Sequence, residues 1–167
     1  MLRPFRADDF EAALEFAKDQ ATARWVPALP ATDGASIAEA YEEARVAGEL
    51  LLLVIADRTS DAYLGEVTVV VGEHQVGELG CGLIPAARGR GIASEALRLL
   101  GDWAFRALEL GRLQVFVAPE NVAALRLSER AGFRREGVLR AYWQRDSARL
   151  DAVVLARLPD DRQSSRS

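Results

Sequence analysis

Residues 84–97 read IPAARGRGIASEAL and set Arg88, Gly89, Arg90 and Gly91 at the mouth of a helix-forming run. Each residue type there suits one task. Glycine lets the main chain approach a ligand closely or take a positive φ. The first turn of a helix offers N–H groups without intrahelical partners and a partial positive charge, which together attract anions. Arginine adds donors shaped for phosphate oxygens. The pattern points to a phosphate; the competing reading is a solvated turn whose arginines face water. Two nucleotide motifs do not fit. A P-loop requires a lysine after its second glycine, and this segment has no lysine. A dinucleotide fingerprint requires G-x-G-x-x-G, whereas GRGIAS closes on Ser94.

Other reactive residue types are sparse. Cys81 is the one cysteine, so no internal disulfide forms and no cysteine–histidine set exists for zinc; no metal is expected. His74, the one histidine, falls in a turn between strand-like runs. Half of the residues are hydrophobic and 28% are charged, the balance of a soluble globular domain. The net charge of −4 argues against a basic field that would draw nucleic acid or a membrane surface. The opening MLRPFRADDF lacks the apolar core of a signal peptide, and no apolar run reaches membrane-spanning length. A cytoplasmic setting is the expectation. The length fits one domain over 1–158, with PDDRQSSRS at 159–167 expected to be disordered.

The elements that must position the glycine–arginine segment follow from periodicity. Residues 2–6 suit a short strand, and the run from Asp8 or Asp9 to Gln20 suits a helix with a stripe of Phe10, Ala13, Leu14 and Ala17. Residues 22–33 contain Trp25, Pro27 and Pro30 and read as a loop. A second helix follows, with Gly48 as its stop. LLLVIAD, AYLGEVTVVV and VGELGCGLI are then strands joined by turns short enough to force antiparallel pairing. A long helix over about 92–109 places Leu97, Leu100, Trp103 and Leu108 on one apolar face. It crosses over to the strand RLQVFVA, so this pair can be parallel. A helix capped by Asn121 and stopped at Gly132 precedes a final hairpin over 133–158.

RGRGIA matches the Arg/Gln-x-x-Gly-x-Gly/Ala signature of the GNAT N-acetyltransferases, with Arg88, Gly91 and Ala93 on the fixed positions. GELGCGLIPAARGRGIASEALRLLGDWAF and NVAALRLSERAGFRREGVLR resemble the strand 4–helix 3 and helix 4–strand 6 blocks of the RimJ/RimL-type branch. LRPFRADDFEAAL and RLDAVVLARL resemble its two ends, so the likeness runs over about residues 2–158. It implies a mixed α/β fold, mostly antiparallel, of about seven strands and about four helices. Strands 4 and 5 would splay into a slot for acetyl-CoA, the co-substrate.

By that resemblance the diphosphate would rest on the amides of Arg88, Gly89, Arg90, Gly91, Ile92, Ala93 and Ser94. The pantetheine would pair with the edge at Gly82, Leu83 and Ile84, and Asn121 would hold it from the other wall, besides capping its helix. The implied reaction is direct attack of a neutral amine on the thioester, so Cys81 is no nucleophile. The proton carriers depart from the family pattern. The family's tyrosine position is Ser128, its alternative serine position is Ala124, and a strand 5 glutamate position is Phe116. Ser128, Glu66, Glu78 and Tyr142 remain as catalytic candidates. The acceptor side would draw on Trp25 to Pro30, Tyr41, Glu42 and Tyr142 to Asp146, with Trp25, Tyr41, Tyr142 and Trp143 as its substrate-binding candidates. The acceptor is expected to be a protein or peptide N-terminal amine, or else a small amine such as a polyamine, amino acid or antibiotic. Two rival readings are an acyl-CoA-binding module of weak turnover and RNA binding through RGRG. A homodimer is compatible with the resemblance.

Overall fold

Seven runs rich in β-branched and apolar residues form one sheet in the order β1-β2-β3-β4-β5-β7-β6. They are β1 (Leu2–Pro4), β2 (Leu50–Ala56), β3 (Tyr63–Val71), β4 (Val76–Leu83), β5 (Arg112–Val117), β6 (Arg134–Arg145) and β7 (Ala148–Arg157). The computed structural model describes residues 1–23, 34–48, 50–145 and 147–161. Helices α1 (Phe10–Lys18), α3 (Gly34–Val46), α4 (Ile92–Ala107) and α5 (Val122–Arg130) flank the sheet, and α2 (Gln20–Ala23) is a single turn. Every neighbouring pair is antiparallel except β4–β5, which is parallel because α4 carries the chain over between them.

That parallel pair is short. Its rungs are Val76↔Arg112, Gly77↔Leu113 and Glu78↔Gln114, and no pairing follows although β4 runs on to Leu83 and β5 to Val117. Past Glu78 the two strands follow different neighbours: β4 stays on β3 as far as Gly65↔Leu83, and β5 stays on β7 as far as Val117↔Val153. The expected splay is therefore present. Gly77 lets the rungs below it close up, since a Cβ there would stand 2.7 Å from Leu110 Cδ1 and 2.8 Å from Leu113 Cδ2.

Strand alternation divides the core between two faces. Val67, Val69, Leu79, Leu113, Val115, Val153 and Leu155 pack against the buried stripe of α4, Ala93, Ala96, Leu97, Leu100 and Ala104. Leu52, Val54, Ala56 and Tyr63 pack on the other face with Phe5, Ala13 and Phe16, near α1 and α3. A network ties β1 to both neighbouring turns. Arg3 is 8% exposed and grips the Asp9 carboxylate through both terminal nitrogens at 2.7 and 2.8 Å, while its Nε donates to Asp61.

Several local expectations change. Asp9 does not cap α1 from outside; it ends a 3-10 turn over Ala7–Asp9, and its carboxylate accepts the Arg6 N–H. The buried side of α1 is Ala13 and Phe16, with Phe10, Leu14 and Ala17 only half-buried. Helix α4 ends at Ala107, and Trp103 and Leu108, expected in the core, are 40% and 36% exposed. They border an apolar hollow of about 590 Å3 against β2 and β3. The loop expected from residue 22 begins instead with α2, because Asp19 accepts the Thr22 N–H and caps that turn. Residues Pro159 to Asp161, expected to be disordered, form a turn in which Asp161 accepts the Leu158 N–H and pairs with Arg134. Residues 162–167 of that tail lie outside the described residues. Among the described residues no helix is long and apolar enough to cross a membrane.

Candidate active site

Where β4 and β5 part, a cleft of about 450 Å3 opens. Its walls are Cys81, Gly82 and Leu83 of β4, the loop and first turn of α4 from Arg88 to Ser94 apart from Arg90, and Thr22 of α2. Opposite stand Asn121 and the Ala123, Ala124, Arg126, Leu127 and Arg130 side of α5.

The α4 end of the cleft gathers groups whose chemistry suits an anion. Gly89 and Gly91 have φ of +74° and +79°, and a Cβ on either would meet nothing within 4 Å, so the main chain is bare there. The first bond of α4 runs from the Glu95 N–H to the Gly91 carbonyl, which leaves Ile92, Ala93 and Ser94 N–H groups without intrahelical acceptors. Arg126 and Arg130, one turn apart on α5, add positive charge to the opposite wall. The donor set suits a diphosphate.

Two arginines of the sequence motif sit differently from their expected roles. The Arg88 N–H donates to the Pro85 carbonyl at 3.2 Å, and so is not a free cradle amide. Its guanidinium donates to the protein: Nε to the Leu83 carbonyl at 3.0 Å, and Nη2 to Asp19 at 2.5 Å and Thr22 at 3.1 Å. Arg90 is exposed and lines no part of the cleft; its charge adds a small share to holding the Asp57 carboxyl low, after the backbone N–H groups of Ser60 and Thr59.

The β4 edge is also more selective than expected. The Ile84 N–H donates to the Leu64 carbonyl at 2.9 Å, so Ile84, and by alternation Gly82, turn their polar groups to β3. Leu79, Cys81 and Leu83 thus present theirs to the gap, with the Leu83 carbonyl already held by Arg88. Cys81 itself is half-buried, and desolvation pushes its thiol up to about 12, which suits a packing residue and not a nucleophile. Asn121 caps α5 by accepting the Ala124 N–H at 3.1 Å and also lines the cleft. Ser94 lines it too, while its hydroxyl donates to the Leu127 carbonyl and ties α4 to α5.

The catalytic candidates separate. Ser128 is 2% exposed, its hydroxyl donates to the Ala124 carbonyl at 2.9 Å, and it does not line the cleft. Glu66 and Glu78 share the sheet face opposite α4, since Glu66 pairs with Gly82 and Val70 with Glu78. Glu66 is fixed by the Tyr63 hydroxyl, which donates to it at 2.8 Å. Burial raises the Glu66 carboxyl, against the lowering effect of that hydrogen bond. Tyr41 stands edge-on to Phe5 at 5.4 Å, and burial, reinforced by the Glu66 charge, raises its phenol strongly. Glu78 lies on the last β4–β5 rung, beside Gln114, and has no hydrogen-bond or ion-pair partner among the described residues. Desolvation at the sheet surface raises its carboxyl above the ordinary glutamate value.

On the β5 side of the same face Tyr142 stacks on Phe116 with ring centres 4.9 Å apart, and Trp143 meets Tyr142 edge-on. A bulge between Leu139 and Trp143, with Ala141 at φ +54°, sets that aromatic ledge. Trp25, the segment to Pro30 and Asp146 lie outside the described residues. Among the described residues no three histidine, cysteine or acidic side chains gather as a metal site.

A sheet opened between parallel neighbours, with glycine-bare amides beside the opening, is the arrangement that the resemblance to the GNAT N-acetyltransferases implied. The acetyltransferase (GNAT) domain model matches residues 1–134, and the chain belongs to that family. A Bacillus subtilis relative described as "Probable N-acetyltransferase YjcK" is 35% identical over 127 residues, covering 74% of this chain and 70% of the relative. Among solved structures, Mycobacterium smegmatis RimJ in complex with CoA-disulfide superposes with a TM-score of 0.78 at 24% identity, over 99% of this chain and 83% of that one. Vibrio cholerae spermidine N-acetyltransferase in complex with CoA and spermine gives 0.79 at 21% identity, over 95% and 94%. The protein is thus a GNAT-type N-acetyltransferase, with acetyl-CoA as the donor.

Proposed function

We propose that acetyl-CoA enters the cleft between β4 and β5, and that Glu78 takes the proton of a primary amine arriving on the opposite sheet face. The supporting observation is the end of β4–β5 pairing at Glu78↔Gln114. It leaves a free main-chain edge from Cys81 onward, on the strand of a carboxylate that has no partner among the described residues. An N–H on that edge would polarise the thioester carbonyl. The amine nitrogen bonds to the acetyl carbon as the carbon–sulfur bond breaks, Glu78 accepts the amine proton, and the departing sulfur takes a proton from water. Water fills that role because the two family donor positions are an inward-held Ser128 and Ala124.

The acceptor we favour is a protein or peptide N-terminal amine. Val70, Glu78, Gly80 and Tyr142 are all exposed, so the acceptor face is open enough for a chain end to lie along it. A polyamine is the second reading, favoured by two carboxylates on that face. Four residues of strand plus one strand spacing separate Glu66 from Glu78 by about 14 Å.

Glu78→Gln tests the base. It should lower kcat by about 100-fold or more, the usual contribution of a positioned base. Acetyl-CoA affinity should stay unchanged. The base must be ionised, so wild-type kcat should fall as pH drops through a Glu78 pKa above the ordinary value, and the variant should lose that acid limb. Ser128→Ala should keep kcat. Full activity in Glu78→Gln would overturn the assignment. Thiol release measured with peptides and with polyamines in parallel decides the acceptor.

A further inference from the structure

Arg88 joins three parts of the molecule that are distant in sequence. Its Nε holds the Leu83 carbonyl at the end of β4, and its Nη2 reaches Asp19 and Thr22 at the α1–α2 junction. Asp19 in turn accepts both the N–H and the hydroxyl of Thr22 at 3.0 Å. Thr22 is 6% exposed, and it and Arg88 both line the cleft. The Asp19 carboxyl is held low, first by Arg88 and then by the Thr22 N–H, so the contact is ionic. An arginine whose charge is matched by an adjacent carboxylate has little left over to attract an anion. Its fixed fork instead closes the loop between β4 and α4, from which the Gly89 to Ser94 amides project.

We infer that Arg88, Asp19 and Thr22 form a clasp that shapes the diphosphate cradle, acting as positioning residues through the main-chain amides and not as ligands of the phosphates. This rests on the placement of acetyl-CoA in the cleft proposed above. It reverses the direct phosphate contact expected of Arg88 from the motif. The clasp also joins the donor cleft to the helical turn that leads into the acceptor-side segment.

The test compares acetyl-CoA with acetyl-pantetheine, which lacks the diphosphate, across variants of the clasp. Asp19→Ala and Thr22→Val should raise KM for acetyl-CoA on the order of tenfold, the loss of one charge-assisted hydrogen bond. Their kcat, and their KM for acetyl-pantetheine, should stay at wild-type values. Asp19→Asn and Thr22→Ser, which keep an acceptor or donor in place, should restore KM. Adding Asp19→Ala to Arg88→Ala should cost nothing further. Tighter acetyl-CoA binding in Asp19→Ala would show Asp19 competing with phosphate for Arg88 and overturn the clasp, as would equal changes with both donors. If Gly91→Glu leaves acetyl-CoA affinity intact, the cleft assignment itself fails, an outcome separate from failure of the clasp.

Discussion

Gly91 separates the two demands that one residue meets here. At φ +79° any side chain is strained, yet a Cβ at that position would meet nothing within 4 Å. Gly91→Ala should therefore cost about 1–2 kcal/mol of stability from the left-handed backbone alone. Gly91→Glu should melt at nearly the same temperature as the alanine variant, because its side chain extends into open space. The two should differ in ligand affinity: the glutamate places a carboxylate where the diphosphate is proposed to lie, and calorimetric affinity for acetyl-CoA should fall far below that of Gly91→Ala. Equal affinities would move the diphosphate elsewhere. The positive φ of this glycine was readable from the local sequence because its requirement is local. The roles of Arg88 and Ser128 were not. Their partners, Asp19 and Thr22 in one case and the Ala124 carbonyl in the other, are set by packing and by a helix turn that compete with the motif's usual use of those side chains.

At the scale of elements, α5 is started by a residue with two possible uses. Asn121 Oδ1 accepts the Ala124 N–H, which leaves the amide nitrogen for the cleft that the residue also lines. Asn121→Ala should cost about 1 kcal/mol through the lost cap. Asn121→Asp should keep the cap and favour the helix dipole, but it removes the donor and adds a negative charge. If the side chain also holds the pantetheine, both variants should bind acetyl-CoA more weakly, whereas only the alanine variant should melt lower. Wild-type affinity in Asn121→Asp would reduce Asn121 to a cap. The strands and long helices were legible because alternation and helical periodicity are local signals. The α2 turn was not, since Pro27 and Pro30 mark a loop while its cap is set by the bond from the Thr22 N–H to Asp19. Arg126 and Arg130 carried a signal, four-residue spacing on one helix face, but the same spacing marks any solvated face. Only the docking of α5 across the opened strands turns that face toward the cleft. The length of the β4–β5 ladder is likewise a choice between competing neighbours, and no single strand's sequence contains it.

Across the whole molecule the carboxylates divide by place. Those of the scaffold are held low: Asp61 by Arg3 and then Arg6, and Asp9 by Arg3 and the Arg6 N–H against the opposing effect of burial. Those on the sheet face opposite α4, Glu66 and Glu78, are raised by desolvation. The two groups respond to acid with opposite signs. A depressed carboxylate stabilises the fold above its unfolded pKa, near 3.9 for aspartate, and loses that contribution as pH falls through the lower folded value. A raised carboxylate disfavours the fold while ionised and ceases to do so once protonated. Loss of stability should therefore set in below about pH 4, as the scaffold aspartates take up protons. Asp9→Asn should isolate that behaviour. It removes one partner of a buried pair while Asp61 still faces Arg3, so the cost should sit near the low end for such breaks, about 3 kcal/mol at neutral pH. The same variant should show a shallower decline in stability between pH 4 and pH 2, measured by denaturant unfolding. Its kcat at neutral pH should remain near wild type, because none of Arg3, Arg6, Asp9 and Asp61 lines the cleft and the proposed base, Glu78, is not among their partners. A variant with undiminished acid sensitivity would place the controlling protonation elsewhere, and one that lost kcat in step with stability would mean that the β1 network also shapes the cleft.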